Sequence, residues 1–176
     1  IIEKTTFKNK ITMGQDLIAI ERIKKAHPKL RDELTKIYDE ANKNLGKSRL
    51  RFAYVLRTFD EQTKLFNQRP KVTNAKAGQS FHNYGLAVDI VLLIDKDKNG
   101  TFETASWDTK ADWDADKIAD WMEVVKVFKK YGWEWGGEFK SFKDLPHFQK
   151  TFGKTWQNLK ALHDAKKTDK EGFVLL

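Results

Sequence analysis

Four residues in this chain have the types and spacing for metal-assisted chemistry. His82 and Asp89 lie in QSFHNYGLAVDI (79–90), and Asp144 and His147 lie in KDLPHFQ (143–149). Two His and one Asp suit Zn²⁺, which takes imidazole nitrogen and carboxylate oxygen in a tetrahedron and leaves a fourth position open for water. A second carboxylate held nearby can act as general base. A lone His is more often a satisfied or exposed residue, and His27 and His163, on helical stretches, take that reading. A lone Asp in a strand is more often an ion-pair partner. What separates His82, Asp89 and His147 is their joint setting at the edge or interior of core strands, where a polar side chain needs a reason.

Asp89 poses the sharpest question. Leu86 to Ile94 is the best strand pattern in the sequence. Side chains alternate along a strand, so Leu86, Val88, Ile90 and Leu92 share one face and Ala87, Asp89, Val91 and Leu93 the other. Both faces are mostly apolar, so the strand is expected to be central and Asp89 at least partly buried. An ionised carboxylate there costs several kcal/mol unless Arg, Lys or a metal ion compensates it. His82 is seven residues earlier, an odd separation that would place it on the opposite face of a straight strand. Gly85 breaks the segment and lets His82 fold back toward Asp89 from a loop.

The positioning elements follow from pattern. Asp16 to Leu45 has helical periodicity, interrupted at His27-Pro28 and stopped at Gly46. Arg51 to Phe59 reads as a strand leading into a helix, with Thr58 and Glu61 forming a capping box. Arg57 thus falls at a strand–helix junction. Arg69 to Gln79 is expected to be loop, and DKDKNG (95–100) a turn. Ala115 to Lys130 reads as an amphipathic helix with Ile118, Trp121, Met122, Val125 and Phe128 on one face. Trp133 to Phe139 and His147 to Phe152 read as short strands around a loop at 140–146, and Thr155 to Ala165 as a last helix before a polar tail. The sum is one α+β domain over 1–176, a small, mainly antiparallel sheet with helices packed against it.

Composition bounds the rest. The 176 residues are 40% hydrophobic and 33% charged, an ordinary globular mixture with room for a core. No apolar stretch approaches the roughly 18 residues of a membrane span. A net charge of +8 favours anionic partners such as nucleic acid, acidic lipid or an acidic wall polymer, but the Lys residues are dispersed and no nucleic-acid recognition motif is present. With no Cys, disulfides and Cys-ligated metals are excluded. The first residues, IIEKTTFKNKIT, form no signal peptide and do not begin with Met, so either a leader has been removed or the chain has been trimmed.

SFHNYGLAVDI resembles the Ser-x-His-x-x-Gly-x-Ala-x-Asp signature of the zinc D-Ala-D-Ala carboxypeptidase and L-alanyl-D-glutamate peptidase family, here Ser80, His82, Gly85, Ala87 and Asp89. WEWGGEFKSFKDLPHF (133–148) and LRTFDEQTKLFNQ (56–68) are similar to further blocks of that family, and the Asp144-Leu145-Pro146-His147 ending resembles its L-alanyl-D-glutamate endopeptidase branch. The resemblance covers about 23–162. It implies the small α+β zinc-peptidase fold shared with the Hedgehog signalling domain. It implies zinc on His82, Asp89 and His147, Asp144 as general base, Arg57 holding or polarising substrate, and Ser80 orienting a ligand or the substrate. It further implies a monomeric enzyme acting on the peptidoglycan stem peptide at the bacterial wall, secreted, periplasmic or released as a phage endolysin, with no nucleic-acid partner and no membrane insertion. A D,D-carboxypeptidase or dipeptidase with the same zinc site, or a non-catalytic zinc-bearing wall-binding module, is the alternative.

DKDKNGTFETAS (95–106) resembles the first half of a calcium loop, with Asp95, Asp97, Asn99 and Gly100 at positions one, three, five and six. Its twelfth position is Ser106 rather than Glu, so a polar hairpin turn is the alternative reading.

Overall fold

The computed structural model describes residues 16–176. Helices α1 (Leu17–Lys24) and α2 (Pro28–Asn44) meet at His27, with Pro28 in the first helical position, where its missing N–H is no loss. Strand β1 (Ser48–Tyr54) follows, then α3 (Phe59–Asn67), a single 3₁₀ turn (Phe81–Tyr84), β2 (Ala87–Ile94) and β3 (Thr104–Ser106). Helix α4 (Asp120–Lys130), β4 (Glu134–Trp135), β5 (His147–Gln149) and α5 (Trp156–Asp164) complete the order. The Thr58–Glu61 capping box forms as expected, with both reciprocal bonds at the start of α3.

The sheet is antiparallel and β2 is its centre. β1 lies along one edge of β2, pairing Ser48 with Ile94 at one end and Tyr54 with Asp89 at the other. The second edge is shared: β5 pairs with residues 87–89 and β3 with residues 92–94. Leu86, Val88, Ile90 and Leu92 enter the main core with Leu50, Phe52 and Phe148, as the alternation requires. Helices α1, α2 and α4 cover that face through Ile23, Leu30, Leu34, Ile37, Trp121, Val124 and Phe128.

Several boundaries depart from the sequence reading; β4 and β5 are shorter than the expected strands 133–139 and 147–152. β1 runs 48–54 rather than 51–59, because residues beyond a bulge after Phe52 bend away to bind the 82 turn: Val55 O lies 2.7 Å from His82 Nδ1, and Arg57 N donates to His82 O. Helix α4 starts at Asp120 rather than 115, since Ala115 and Lys117 take left-handed φ values of 62° and 80°. Its buried face is Trp121, Val124, Val125 and Phe128, while Ile118 and Met122, expected inside, are 48% and 40% exposed. Finally, the tail after α5 is not simply polar: Phe173 and Val174 are buried, and Thr168 pairs with Val174 in a short bridge.

His27 anchors that tail. Its Nδ1 accepts from Lys29 N at the start of α2, so Nε2 carries the proton and donates to Val174 O at 2.9 Å. Phe173 sits edge-on to the ring. Burial holds the His27 imidazole below its ordinary range, against the opposing Val174 bond. A His with a lowered folded pKa is neutral when folded and takes up a proton on unfolding, so its contribution is lost as pH falls below the unfolded value of about 6.5. His27→Asn keeps a helix cap without titrating there. Its melting temperature is expected to fall less steeply than the wild type's between about pH 7 and 5.

Candidate metal centre

The centre is built where β2 meets the 82 turn. Ser80 caps that turn, its Oγ accepting from His82 N, and Asn83 completes a capping box from the other side. Gly85 then takes φ 68°, and a Cβ there would lie 2.6 Å from His27 N. Only glycine gives this turn and this close approach, and the turn is what carries His82 back over the strand. His147 arrives by register: it is directly cross-strand from Asp89, so the two side chains share a face.

The three side chains converge. His82 Nε2 and His147 Nδ1 lie 3.1 and 3.2 Å from the same oxygen, Asp89 Oδ1, and the imidazole rings are 5.1 Å apart. A tetrahedral zinc with arms of roughly 2.1 Å has ligand–ligand edges of about 3.4 Å, close to these separations. The outer nitrogens are both engaged. His82 Nδ1 meets Val55 O, and His147 Nε2 meets Gln149 Oε1 at 2.9 Å. Gln149 Nε2 donates to Glu134, which turns its amide oxygen toward His147. Each imidazole therefore donates outward and presents its inner lone pair to an acceptor-only carboxylate oxygen. Only protons or a cation make that arrangement attractive, and the donor set of two imidazoles and a carboxylate fits zinc.

The electrostatics describe the case in which protons meet that attraction. Burial would raise the Asp89 carboxyl, but the bonds from His147 and His82 hold it well below the usual carboxylate range. Burial would lower His147, and the Asp89 carboxylate reverses this and raises it. Arg57 brings its guanidinium to 3.9 Å from Asp89 Oδ2, over the Tyr54 ring, with its Nε buried and without a hydrogen bond.

Asp144 is held beside this group by backbone. Its N donates to Gly136 O and its O accepts from His147 N. A Cβ on Gly136 would lie 2.2 Å from Asp144 O, so the glycine is what allows the loop this close. Burial pushes the Asp144 carboxyl up, opposed by His147 and reinforced by Asp89. All five residues line a cleft of about 660 Å³, walled by 71–75 on one side and by Phe139 and Phe142 on the other.

Sequence reasoning missed the supporting residues. Gln149 was detectable, since HFQ places it on the face of His147 two residues on. Gln62 was not: it is fully buried and joins Arg57 to the cleft wall, accepting from the guanidinium and donating to Ala75 O. The calcium expectation at Asp95, Asp97 and Asn99 is not supported. Asn99 N and Gly100 N bond to Asp95 in a hairpin turn; Glu103 lies near Asp95 and Asp97, but the twelfth position is Ser106, held in β3 opposite Leu92, and supplies no bidentate carboxylate.

Residues 73–150 match the M15 peptidase family model described as D-alanyl-D-alanine carboxypeptidase. The family match takes in the 79–90 and 133–148 blocks and leaves 56–68 outside it. The peptidoglycan L-alanyl-D-glutamate endopeptidase CwlK of Bacillus subtilis is 44% identical over 98 residues, covering 53% of this chain and 55% of the relative. The chain thus spans about half the length of that curated relative. The crystal structure of the Serratia marcescens L-Ala D-Glu endopeptidase ChiX superposes with a TM-score of 0.54 at 25% identity, over 84% of this chain and 95% of that one. The resemblance carried by the sequence blocks and the expected α+β fold are borne out.

Gly85→Ala tests the turn that carries His82. The left-handed φ and the contact with His27 together are expected to lower stability by on the order of 2 kcal/mol, read as a lower urea midpoint at unchanged slope.

Proposed function

From this likeness we propose that the chain is a zinc-dependent peptidoglycan hydrolase that cleaves the L-Ala-D-Glu bond of the stem peptide. The observation that carries the reading is the set of inner lone pairs of His82 and His147 converging on the ionised Asp89 beside the half-buried Asp144.

His82 through Nε2, His147 through Nδ1 and Asp89 through Oδ1 would hold the zinc. Bound there, zinc supplies the Lewis acidity that makes water nucleophilic near neutral pH and polarises an amide carbonyl. The protein supplies the remainder. Asp144 takes the proton of the attacking water and delivers it to the leaving amine, and its raised pKa keeps it an effective acid for that second transfer. Asp is one methylene shorter than Glu, and the Gly136 contact brings its backbone correspondingly close. Arg57, anchored by Gln62 and with its Nε free, holds the substrate near the scissile carbonyl. Ser80 acts through His82, whose backbone it caps. The +8 charge suits a polyanionic wall, the cleft suits an extended peptide, and both fit an enzyme working outside the cytoplasm, either exported or released as an endolysin.

Two measurements test this. Mass analysis of digested peptidoglycan is expected to show fragments ending in L-Ala and beginning with D-Glu; loss of terminal D-Ala alone would establish the carboxypeptidase alternative instead. Asp144→Ala is expected to keep zinc by elemental assay while losing about 10²–10⁴-fold in turnover. If the wild type shows no chelator-sensitive hydrolysis, the non-catalytic module is the better account. Asp89→Ala is expected to lose the metal, and Asp89→Leu to lose it too while the fold survives to a melting temperature at or above that of Asp89→Ala.

A further inference from the structure

A second carboxylate constellation lies far from the cleft. Residues 112–123 read DWDADKIADWME, with acids at relative positions one, three, five, nine and twelve. A twelve-residue calcium loop supplies oxygen from those positions, ending on a bidentate Glu at the twelfth. Here Asp112, Asp114 and Asp116 bring carboxylate oxygens within 4.8 Å of one another, and Glu123 follows in the first turn of α4. Lys117, at position six, has φ 80°, the left-handed conformation for which such loops use glycine.

Two further facts are independent of spacing. Glu123 is only 9% exposed, and its buried Oε2 has no hydrogen-bond partner among the described residues. Asp114 Oδ1 is likewise buried without one. Burial, and then the like charges of Asp116, Asp120, Asp114 and Asp112, push the Glu123 carboxyl up to about 7. A buried, unpartnered carboxylate in the field of a carboxylate cluster is destabilising on both counts, and a hard dication removes both. Asp120 is engaged elsewhere. It accepts from Ser48 Oγ and from Trp113 N, tying the loop to the start of β1.

We propose that the 112–123 loop binds a divalent cation of the calcium class through Asp112, Asp114, Asp116 and Glu123. The irregular, all-oxygen set with a closing Glu suits calcium's six to eight ligands rather than magnesium's strict octahedron. The 95–106 turn, which gathers Asp95, Asp97 and Glu103, differs in having Ser106 at the twelfth position and no buried unpartnered carboxylate among the described residues. The cation is structural. It ties residues 112–116 to the first turn of α4, where Asp120 bonds Ser48, six residues of β1 away from the Tyr54–Asp89 pair, about 20 Å at roughly 3.3 Å per residue.

The test uses the whole zinc-loaded chain in calcium-free buffer, with zinc content assayed throughout so that loss of the catalytic metal is seen separately. Calorimetric titration with Ca²⁺ is expected to saturate at one equivalent. At a hundredfold excess over Kd the melting temperature is expected to rise by about 5–10 °C. Tb³⁺ is expected to compete and to luminesce through Trp113 and Trp121, at relative positions two and ten. Glu123→Gln, which removes the buried charge and keeps the shape, and Asp116→Asn, at an exposed position, are each expected to weaken binding at least about tenfold. The proposal is overturned if the wild type neither binds nor shifts, if Mg²⁺ acts equally at the same concentration, or if Asp95→Asn rather than these variants abolishes the response.

Discussion

Asp89 is the constraint on which the site depends. It is an ionised carboxylate in the central strand, among residues that otherwise fill a core. Its burial is tolerable because two imidazoles and a guanidinium surround it, two of them fixed by backbone: His82 by the Ser80 cap and the Gly85 turn, His147 by sheet register. The outer nitrogens of both rings are held by acceptors, so the inner ones have one orientation. A donor set that rigid would select a metal by geometry instead of being shaped by it.

The fold is arranged to deliver this. β1 gives up pairing after its bulge so that Val55 and Arg57 can bind the 82 turn, exchanging ladder bonds for positioning. β5 is only three residues long, enough to set His147 opposite Asp89, and a loop held on Gly136 brings Asp144 alongside. The helices cover the other face of β2, where Val88 and Ile90 pack, so core and chemistry occupy opposite sides of one strand. Away from the cleft, acidic side chains gather in the 95–103 and 112–123 loops of a chain whose net charge is strongly positive. The first gathering is answered by a hydrogen-bonded turn, and the second leaves a buried carboxylate oxygen without a partner.

Much of the site was legible in the sequence. The two motif blocks placed the candidate ligand residues, and the parity of β2 placed Asp89 on the face opposite Leu86, Val88, Ile90 and Leu92, because alternation is a local property of an extended chain. The Thr58–Glu61 cap was legible for the same reason: all its atoms lie within one turn. The errors came from contacts that apolar periodicity does not show. The 115–119 segment has helical apolar spacing, yet acidic side chains from 112 and 116 take its backbone N–H groups and hold a loop. The tail looked polar, yet Phe173 and Val174 dock against His27, a residue far away in sequence.

The sequence by itself determined which residue types could hold a metal, which strand is central and which face carries its carboxylate. The tertiary structure decided which nitrogen of each His points inward, that Gln149 and Val55 fix those rings, and that Gln62 braces Arg57 against the cleft wall. It also decided which acidic loop has a closing, unpartnered Glu. The physical reason is the same in each case. Periodicity and caps are written within a few residues, whereas a hydrogen bond's acceptor or a carboxylate's neighbours are set by the register and packing of segments that meet only in the folded chain.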